Sequence, residues 1–282
     1  MPNISETLKN ATDILKSAEI AEPRRESVSL LAFALQKDKT FLIAHSDYQL
    51  TESEEKYFDE ILTRRAQHEP FQHITGIQEF YGLDFIVTAD VLIPRPETEM
   101  IVENALEILR EKQSLEFCEI GIGSGCISIS ILHEIKTVSA IGLDISASAL
   151  EIAKKNAQKH AVLGRLDLKI SDVFSQLKSE KFDLIVSNPP YIPALDIPNL
   201  QPEVRNFEPL KALTDGKNGL SIIEKIINDS PKFLNSKGFL LMEIGYNQSN
   251  EVKEICSKNI WQEIEILPDL QGIPRMVKAN IF

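Results

Sequence analysis

The chain has 282 residues, 43% of them hydrophobic and 26% charged, which is enough to build two folded domains with buried cores. The formal net charge of −12 disfavours a large nucleic-acid interface, because binding to a duplex normally requires a basic face. The same negative charge is compatible with a basic partner protein. We expect no direct nucleic-acid partner.

Targeting signals and metal-binding motifs are both missing from the sequence pattern. No apolar run approaches the roughly 18–20 residues needed to span a bilayer, and residues 1–6 lack the basic and apolar regions of a signal peptide. We therefore expect a cytoplasmic protein with no membrane partner. Cys118, Cys126 and Cys256 have no metal-ligand spacing, so no metal is expected. Either cysteine flanking the glycine-rich loop could be a reactive thiol, although small buried residues explain them more simply.

Residues 1–73 are predicted to form a helical N-terminal domain. Glycine is absent from this stretch, and apolar residues recur at helical spacing, as in Val28, Leu31 and Leu35. Thr51, followed by acidic residues, is a predicted helix N-cap. Residues 74–93 are predicted to form a β-hairpin linker that turns at Gly82-Leu83-Asp84, and a helix running to Leu109 should follow.

Residues 94–282 alternate short apolar runs with helical stretches, which predicts an α/β domain. The predicted strands are 115–120, 138–143, 166–171, 182–187, 238–244, 261–267 and 276–282, and the predicted helices include 147–160 and 220–233. Apolar strands that alternate with helices favour a mostly parallel, Rossmann-like sheet covered on both faces. The short connection 268–275 predicts that the last two strands pair antiparallel, so that the last strand is reversed.

Three predicted strands end at residues suited to binding a nucleoside-like cofactor. Gly121-Ile122-Gly123-Ser124-Gly125 links the first strand to a helix, where glycines and free N–H groups let a ligand approach the backbone; a tight turn without a ligand also explains this pattern. Asp144 ends the second strand, where a carboxylate can accept hydrogen bonds from ribose hydroxyls. Its alternative role is a helix cap, but Ser146 fits the cap better, which would leave Asp144 free.

Asp172 follows the third predicted strand. Its carboxylate could accept a hydrogen bond from an adenine amine, with Val173 against the ring, and a turn or cap aspartate is an equal alternative for this residue alone. Three such sites in the same order along the chain are much more specific than any one of them.

The fourth predicted strand ends at Asn188-Pro189-Pro190-Tyr191. Two prolines remove backbone donors, so the Asn188 side-chain oxygen and the Pro189 carbonyl can together accept both hydrogens of an NH₂ group. Tyr191 offers a flat surface over a planar amide or base, and a rigid structural turn is the alternative. Fixing both N–H bonds orients a weakly nucleophilic nitrogen and stabilises the positive charge that develops on it. The pattern indicates methyl transfer to a planar NH₂ group.

Together these motifs match the order found in class I S-adenosylmethionine-dependent methyltransferases. Further segments resemble the release factor glutamine N5-methyltransferases of the PrmC/HemK family; they are residues 76–82, 92–99, 208–213, 216–220 and 243–245. The resemblance covers nearly the whole chain. It implies methylation of the glutamine in the Gly-Gly-Gln motif of class I peptide chain release factors, with a helical domain that helps to bind the partner.

By this resemblance, two sets of residues form the site. The cofactor-binding set is Glu119, Gly121, Ile122, Gly123, Ser124, Gly125, Asp144, Asp172, Val173 and Asn188. The set that grips the glutamine amide is Asn188, Pro189, Pro190 and Tyr191, of which Asn188, Pro189 and Tyr191 are the catalytic candidates. Arg95, Glu97 and Thr98 are implied near the mouth of the site, without individual roles. Glu119 stands where the family usually has Asp, and Ile122 where it usually has Thr; both changes could shift cofactor affinity.

Three rival functions remain. Ribosomal-protein glutamine methyltransferases are related, although residues 94–99 favour the release-factor branch. An adenine N6-methyltransferase uses the same Asn-Pro-Pro-Tyr logic on a flipped base, but it needs a basic groove that the net charge disfavours. A cofactor-binding fold kept only as an interaction module would be expected to lack Asn188 or the glycine-rich loop, and both are present.

Overall fold

A computed structural model describes residues 1–110 and 115–282. The chain divides into two compact units. The first, called the helical unit, contains Met1–Gly76 and Gln201–Phe207; the second, called the sheet unit, contains Ile77–Leu200 and Glu208–Phe282. The start of the predicted strand 115–120 adjoins residues 111–114, which lie outside the described residues.

The helical unit contains five helices in its N-terminal stretch, as the glycine-free sequence predicts. They are α1 (Ile4–Ser17), α2 (Pro23–Leu35), α3 (Lys39–Ala44), α4 (Glu52–Ala66) and α5 (Phe71–Thr75). The predicted cap of α4 is confirmed: the Thr51 hydroxyl accepts a hydrogen bond from Glu54 N, and Glu54 accepts one from Thr51 N at 2.7 Å. Apolar faces of α1, α2 and α4 meet in a core that includes Leu15, Leu31 and Phe58.

A buried arginine joins a distant segment to this unit. Arg65, on α4, has only 7% of its side chain exposed and bonds Glu26 on α2 at 2.9 Å. It also bonds Glu203 at 3.2 Å, and Glu203 lies on a short helix, Pro202–Phe207. A buried guanidinium requires such partners, because an unpaired buried charge is strongly unfavourable. This ion pair therefore explains why residues 201–207 group with the helical unit.

The sheet unit begins with the predicted hairpin. Strands β1 (Ile77–Phe80) and β2 (Leu83–Ile86) pair antiparallel. The predicted turn position was wrong by two residues: Tyr81 and Gly82 form the turn with φ of +52° and +73°, while Leu83 and Asp84 belong to the strand. Positive φ at both central residues is the two-residue geometry whose twist matches that of paired strands.

The seven-stranded sheet is confirmed. Its strands are β3 (Glu116–Ile120), β4 (Ser139–Asp144), β5 (Leu166–Ile170), β6 (Phe182–Ser187), β7 (Leu234–Glu243), β8 (Glu265–Pro268) and β9 (Pro274–Asn280). The order is β5-β4-β3-β6-β7-β9-β8, and β9 is antiparallel to both neighbours, so the last strand is reversed as predicted. Because β4 and β6 lie on opposite sides of β3, a crevice forms where the strand order reverses.

Several predicted boundaries differ from the structure. Strand β7 begins at Leu234, four residues before the prediction, and the predicted helix 220–233 ends at Asp229 with a 3₁₀ turn after it. Trp261, predicted to begin a strand, precedes β8; its indole N–H donates instead to Ile227 O at 3.1 Å. Its β-favouring character therefore reflected burial rather than strand pairing.

Helices cover both faces of the sheet. They are α6 (Glu99–Arg110), α7 (Cys126–Glu134), α8 (Ala147–Lys159), α10 (Ser221–Asp229) and α11 (Ser249–Ser257); a short helix, α9 (Leu210–Leu213), precedes α10 in the chain. Alternate residues of β3 point to opposite faces: Phe117 packs with α6 and α7, and Cys118 packs with α10 and α11. In the described part of the chain, no helix is both long and apolar enough to cross a membrane.

Candidate active site

A cavity of about 510 Å³ lies at the carboxyl ends of β3, β4 and β6, in the size range of small-molecule sites. The predicted site residues that line it are Glu119, Gly121, Ile122, Gly123, Ser124, Asp144, Asp172, Val173, Asn188, Pro189 and Pro190. Gly125 and Tyr191 are not among the residues that line it. The fold thus brings together residues that are spread over some seventy positions of sequence, because parallel strands end at one edge.

The glycines of the loop do different things. Gly121 and Gly123 have φ of +72° and +54°, and a Cβ at either would meet no other atom of the described residues within 4 Å. Their backbone therefore borders open space that a ligand can approach closely. Gly125 differs, because a Cβ there would lie 2.7 Å from Ile129 Cδ1. Its lack of a side chain serves the packing of α7 against the loop.

Ile122, one of the two departures from the family pattern, is accommodated by a glycine in the next strand. Its side chain is 2% exposed, and a Cβ on Gly142 of β4 would lie 3.4 Å from Ile122 Cγ1 with a closer approach to Cδ1. Isoleucine thus fills space above β4 that a residue other than glycine would occupy.

Asn156 braces the glycine-rich loop and was missed by the sequence analysis. This fully buried side chain on α8 donates to Ser124 O at 2.9 Å. The same amide bonds both backbone groups of Ile86 at the end of β2. The available signal was a polar residue four positions after Ile152, one turn along the apolar face of α8, since a buried amide needs partners.

Asp144 is not free, in contrast to the prediction. Its carboxylate accepts hydrogen bonds from Gly123 N and Ser146 N, both at 2.9 Å, and so links the glycine-rich loop to the start of α8. The predicted Ser146 cap is confirmed by its hydroxyl, which accepts from Ala149 N. Burial raises the pKa of Asp144. Each carboxylate oxygen keeps a second lone pair, so the Asp144 side chain can still accept ribose hydroxyls from the cavity.

Glu119, the second departure, is a buried acid at the base of the cavity. It is 1% exposed and accepts a hydrogen bond from Ser128 N of α7 at 2.9 Å. Burial raises its pKa to about 8, and the neighbouring negative charge of Asp144 contributes in the same direction. Glu119 therefore holds a proton at neutral pH that a nearby positive charge would displace.

This pKa predicts a pH-dependent preference for a cationic ligand. A sulfonium in the cavity favours ionised Glu119, so binding at low pH must expel a proton, and that penalty disappears above the pKa of about 8. For S-adenosylmethionine, the sulfonium ligand that the sequence resemblance implies, we expect affinity relative to S-adenosylhomocysteine, whose sulfur is uncharged, to rise about tenfold between about pH 6 and 9. Calorimetric titration of both ligands measures this ratio. Glu119→Gln should flatten it, and an equally steep ratio in that variant would assign the effect elsewhere.

Asp172 and Val173 form an irregular loop at the rim. Val173 is buried and has φ of +52°, an unfavourable conformation for a β-branched residue, and its carbonyl accepts the Ser171 hydroxyl at 2.7 Å. The Asp172 side chain is 58% exposed and pairs with Lys225 at 2.9 Å. An adenine amine would share this carboxylate with the lysine, so the role of Asp172 stays a prediction.

Asn188 presents its oxygen, and not its NH₂ group, as the available atom. Its Nδ2 donates to Thr98 Oγ1 at 3.1 Å, and the Thr98 hydroxyl donates to Glu243 Oε2 at 2.6 Å. Within residues 1–110 and 115–282, no donor is bonded to Asn188 Oδ1 or to the Pro189 carbonyl. Both residues line the cavity, so two acceptors are available to an incoming NH₂ group.

Tyr191 is turned towards Glu243. Its hydroxyl donates to Glu243 Oε1 at 3.0 Å, and burial beside that carboxylate raises the pKa of Tyr191. A neutral, anchored phenol is therefore what the structure places behind the Asn-Pro-Pro segment. Arg95 also lines the cavity and pairs at 2.6 Å with buried Glu208, which holds the guanidinium near the rim.

Two buried thiols near the loop are unsuited to nucleophilic chemistry. Cys118 and Cys126 are buried, and desolvation raises the pKa of each thiol above its ordinary value. A raised pKa suppresses the reactive thiolate, which favours the simpler interpretation of both residues. Among the described residues, no group of three or more His, Cys, Asp or Glu side chains could hold a metal ion.

Gly219 packs against the backbone of the Asn188-Pro189-Pro190-Tyr191 segment. It has φ of +78°, and a Cβ there would lie 2.7 Å from the Tyr191 carbonyl carbon. Gln248 bonds the carbonyls of both residues through Nε2, at 3.0 Å to Tyr191 O and 3.3 Å to Gly219 O. This contact fixes the height of the Asn-Pro-Pro-Tyr backbone over the cavity.

Gly219→Ala is therefore expected to destabilise the protein by about 2–4 kcal/mol, combining left-handed strain with displacement of the Tyr191 carbonyl. Gly216→Ala is a matched control, since Gly216 has φ of +75° but open space around its Cβ. It should cost only about 1–2 kcal/mol. Urea unfolding measures both variants, and equal losses would show that the contact with Tyr191 carries no energy.

Comparison with known proteins identifies both units. Residues 6–76 match the PrmC N-terminal domain, and residues 98–199 match the methyltransferase small domain. The chain is 39% identical over 276 residues to a release factor glutamine methyltransferase of Koribacter versatilis, covering 96% of this chain and 97% of the relative. Identity to the release factor glutamine methyltransferase of Geobacter sulfurreducens is also 39%, with 93% and 91% covered.

Solved methyltransferase structures share the fold. One from Pyrococcus furiosus has a TM-score of 0.54 at 16% identity and covers 77% of this chain and 98% of that one. The Thermus thermophilus 16S rRNA N2 G1207 methyltransferase, solved with AdoMet and guanosine, has a TM-score of 0.52 at 14% identity, with 73% and 50% covered. These likenesses support a class I methyltransferase sheet.

Proposed function

This chain belongs to the release factor glutamine methyltransferase family, and we propose that it methylates the glutamine of the Gly-Gly-Gln motif in class I peptide chain release factors. The methyl group would pass from S-adenosylmethionine to N5, the side-chain amide nitrogen. The observation that carries the proposal is the pair of acceptors, Asn188 Oδ1 and the Pro189 carbonyl, with no bonded donor within the described residues.

The cavity residues fit S-adenosylmethionine, which supplies an electrophilic methyl group when bound. Open space over Gly121 and Gly123 accommodates a ligand close to the backbone, and Glu119 and Asp144 place acidic groups suited to a cationic ligand. Asp144 would accept the ribose hydroxyls, and Val173 would flank the adenine with Asp172 nearby. The acids therefore bind and orient the cofactor, while the glycines permit the approach.

The acceptor pair addresses the weak nucleophilicity of an amide. The nitrogen lone pair is delocalised, so the nitrogen must be held with its face towards the donor before it reacts. Asn188 Oδ1 and the Pro189 carbonyl would each accept a hydrogen bond from one N–H of the substrate amide, and the two bonds together fix that orientation. The same oxygens stabilise the positive charge that develops on nitrogen, and they are already in place before the reaction. The nitrogen becomes acidic as it is methylated, so its proton can pass to water without a strong base in the protein.

The helical domain, residues 1–73, is proposed to contribute to binding of the release factor, and residues 74–93 to link it to the catalytic domain, residues 94–282. Support comes from the relatives, which are release factor glutamine methyltransferases matched over both parts of the chain. The reaction would take place in the cytoplasm, where release factors act, with neither nucleic acid nor membrane as a direct partner.

Mass spectrometry of a class I release factor incubated with the protein and S-adenosylmethionine tests the proposal. We expect a gain of about 14 Da on the Gly-Gly-Gln glutamine, absent with the Asn188→Ala enzyme and with a release factor whose glutamine is replaced by glutamate. A glutamine methylated only in ribosomal proteins, or an adenine methylated in nucleic acid, would replace this acceptor with the rival one. If the protein binds the cofactor but transfers no methyl group to a release factor, a ribosomal protein or nucleic acid, the remaining hypothesis is a cofactor-binding fold that serves only as an interaction module.

A further inference from the structure

Three hydrogen bonds, which we call the relay, link Asn188, Thr98, Glu243 and Tyr191 behind the acceptor pair. Asn188 donates to Thr98, Thr98 donates to Glu243, and Tyr191 donates to the other oxygen of Glu243. Thr98 and Glu243 are only 2% and 3% exposed, so water cannot readily replace either partner. Glu243 ends β7 and Thr98 ends the 3₁₀ turn Pro96–Thr98, which fixes both on the scaffold of the sheet unit.

The direction of each bond follows from the chemistry of the groups. An ionised carboxylate can only accept, and a hydroxyl has a single proton to donate. Because the Thr98 hydroxyl donates its proton to Glu243, the Thr98 oxygen can only accept a hydrogen bond from Asn188. Asn188 could present either end of its amide to Thr98, but only the NH₂ end makes a bond.

We propose that Glu243, acting through Thr98, is a positioning residue that holds the Asn188 amide with its oxygen towards the cavity. A flipped amide would place an NH₂ group where the substrate also offers one, and would leave Thr98 facing an acceptor with no proton between them. By turning the Asn188 oxygen towards the cavity, the hydrogen bonds from Asn188 to Thr98 and from Thr98 to Glu243 favour substrates that carry an NH₂ group. This inference rests on the proposed function for the identity of that NH₂ group, but the orientation itself does not.

Tyr191 donates the other hydrogen bond that Glu243 accepts. Its hydroxyl satisfies the second oxygen of Glu243, so the carboxylate is engaged on both sides. Burial raises the pKa of Glu243, whereas the bonds from Thr98 and Tyr191 and the nearby charge of Arg275 act in the opposite direction. Each of the two hydroxyl donors stabilises the ionised carboxylate, which is the acceptor form in this chain of hydrogen bonds, and so acts against the larger effect of burial.

Side-chain NMR of protein labelled with ¹⁵N-asparagine tests the orientation without any substrate. The Asn188 NH₂ signal, identified by its loss in Asn188→Ala, should exchange slowly with solvent and show contacts to the Thr98 methyl group. Exposed Asn250 on α11 gives the fast-exchange reference. Exchange as fast as that of Asn250, with no contact to Thr98, would overturn the proposal in the unmodified protein.

Kinetics of two Thr98 variants separate positioning from bulk packing. Thr98→Val keeps the shape but removes the hydroxyl, and we expect kcat to fall about 10–100-fold while the Kd for S-adenosylmethionine stays within about twofold. Thr98→Ser retains the hydroxyl and should stay within about threefold of the parent. Equal losses in both variants, or an unchanged kcat in Thr98→Val, would refute a role for the relay.

A double-mutant cycle adds the decisive control. If Thr98 acts through Asn188, then Thr98→Val should cause no further loss in an Asn188→Ala background, measured as slow product accumulation by mass spectrometry. A full additional loss would mean that Thr98 acts independently of Asn188. Failure of the parent enzyme to methylate a release factor, with the NMR result intact, would reject the proposed substrate and keep the relay.

Discussion

Replacing Asn188 with alanine is expected to reduce methyl transfer by at least about 10³-fold while changing the Kd for S-adenosylmethionine by no more than about threefold. The variant removes one of two cavity-facing acceptors that orient the substrate nitrogen and stabilise its developing charge. The backbone carbonyl of Pro189 remains, but a single acceptor leaves the NH₂ group free to rotate. The cofactor is bound mainly by other residues of the cavity, so its affinity should be largely retained.

Single-turnover kinetics with a release factor, together with calorimetry for the cofactor, measure the two quantities separately. Asn250→Ala, a substitution on the exposed surface of α11, is the matched control and should leave both unchanged. Loss of cofactor binding in a folded Asn188→Ala protein would contradict the assigned role. Circular dichroism establishes whether the variant is folded.

Asp144→Ala should show the reverse pattern, with weaker cofactor binding as its first effect. We expect the Kd for S-adenosylmethionine to rise about 10–100-fold, because the variant removes a charged acceptor for the ribose and also frees Gly123 N. The lost bonds from Gly123 and Ser146 should cost about 1–3 kcal/mol of stability, so binding must be measured well below the unfolding temperature.

Asp172→Ala provides the comparison for this experiment. Asp172 is an exposed carboxylate already paired with Lys225, so its removal should raise the Kd by less than about fivefold. A ribose contact by Asp144 predicts a clear difference between the two variants. An unchanged Kd in Asp144→Ala would count directly against that contact.

Much of the sheet unit was predictable because its signals are local. Apolar runs such as 182–187 identified strands, and the chain direction at each strand end placed Gly121, Asp144 and Asn188 along one edge. The predicted strand boundaries were less accurate where a buried residue does not belong to a strand. Trp261 is buried by its contact with α10 and not by the sheet ladder, a distinction that residue type does not carry.

The partners of the site residues were not predictable in the same way. Ser146 as a cap follows from a spacing of three residues, but Asn188 meets Thr98 across 90 residues and Thr98 meets Glu243 across 145. Sequence analysis singled out Thr98 only by family resemblance and gave it no role. Likewise, nothing near Arg65 indicates that it binds Glu203, which lies 138 positions away.

The sequence by itself determined the fold class, the strand-end motifs and the type of chemistry, because hydrophobic periodicity and short-range turn chemistry act between neighbours along the chain. Tertiary structure alone decided which end of the Asn188 amide faces the cavity and which acids at the site, Glu119 among them, have raised pKa values. Both depend on burial and on hydrogen-bond partners from other strands. Those properties arise when distant segments exclude water together, since only then does an unpaired polar group become costly enough to fix one orientation.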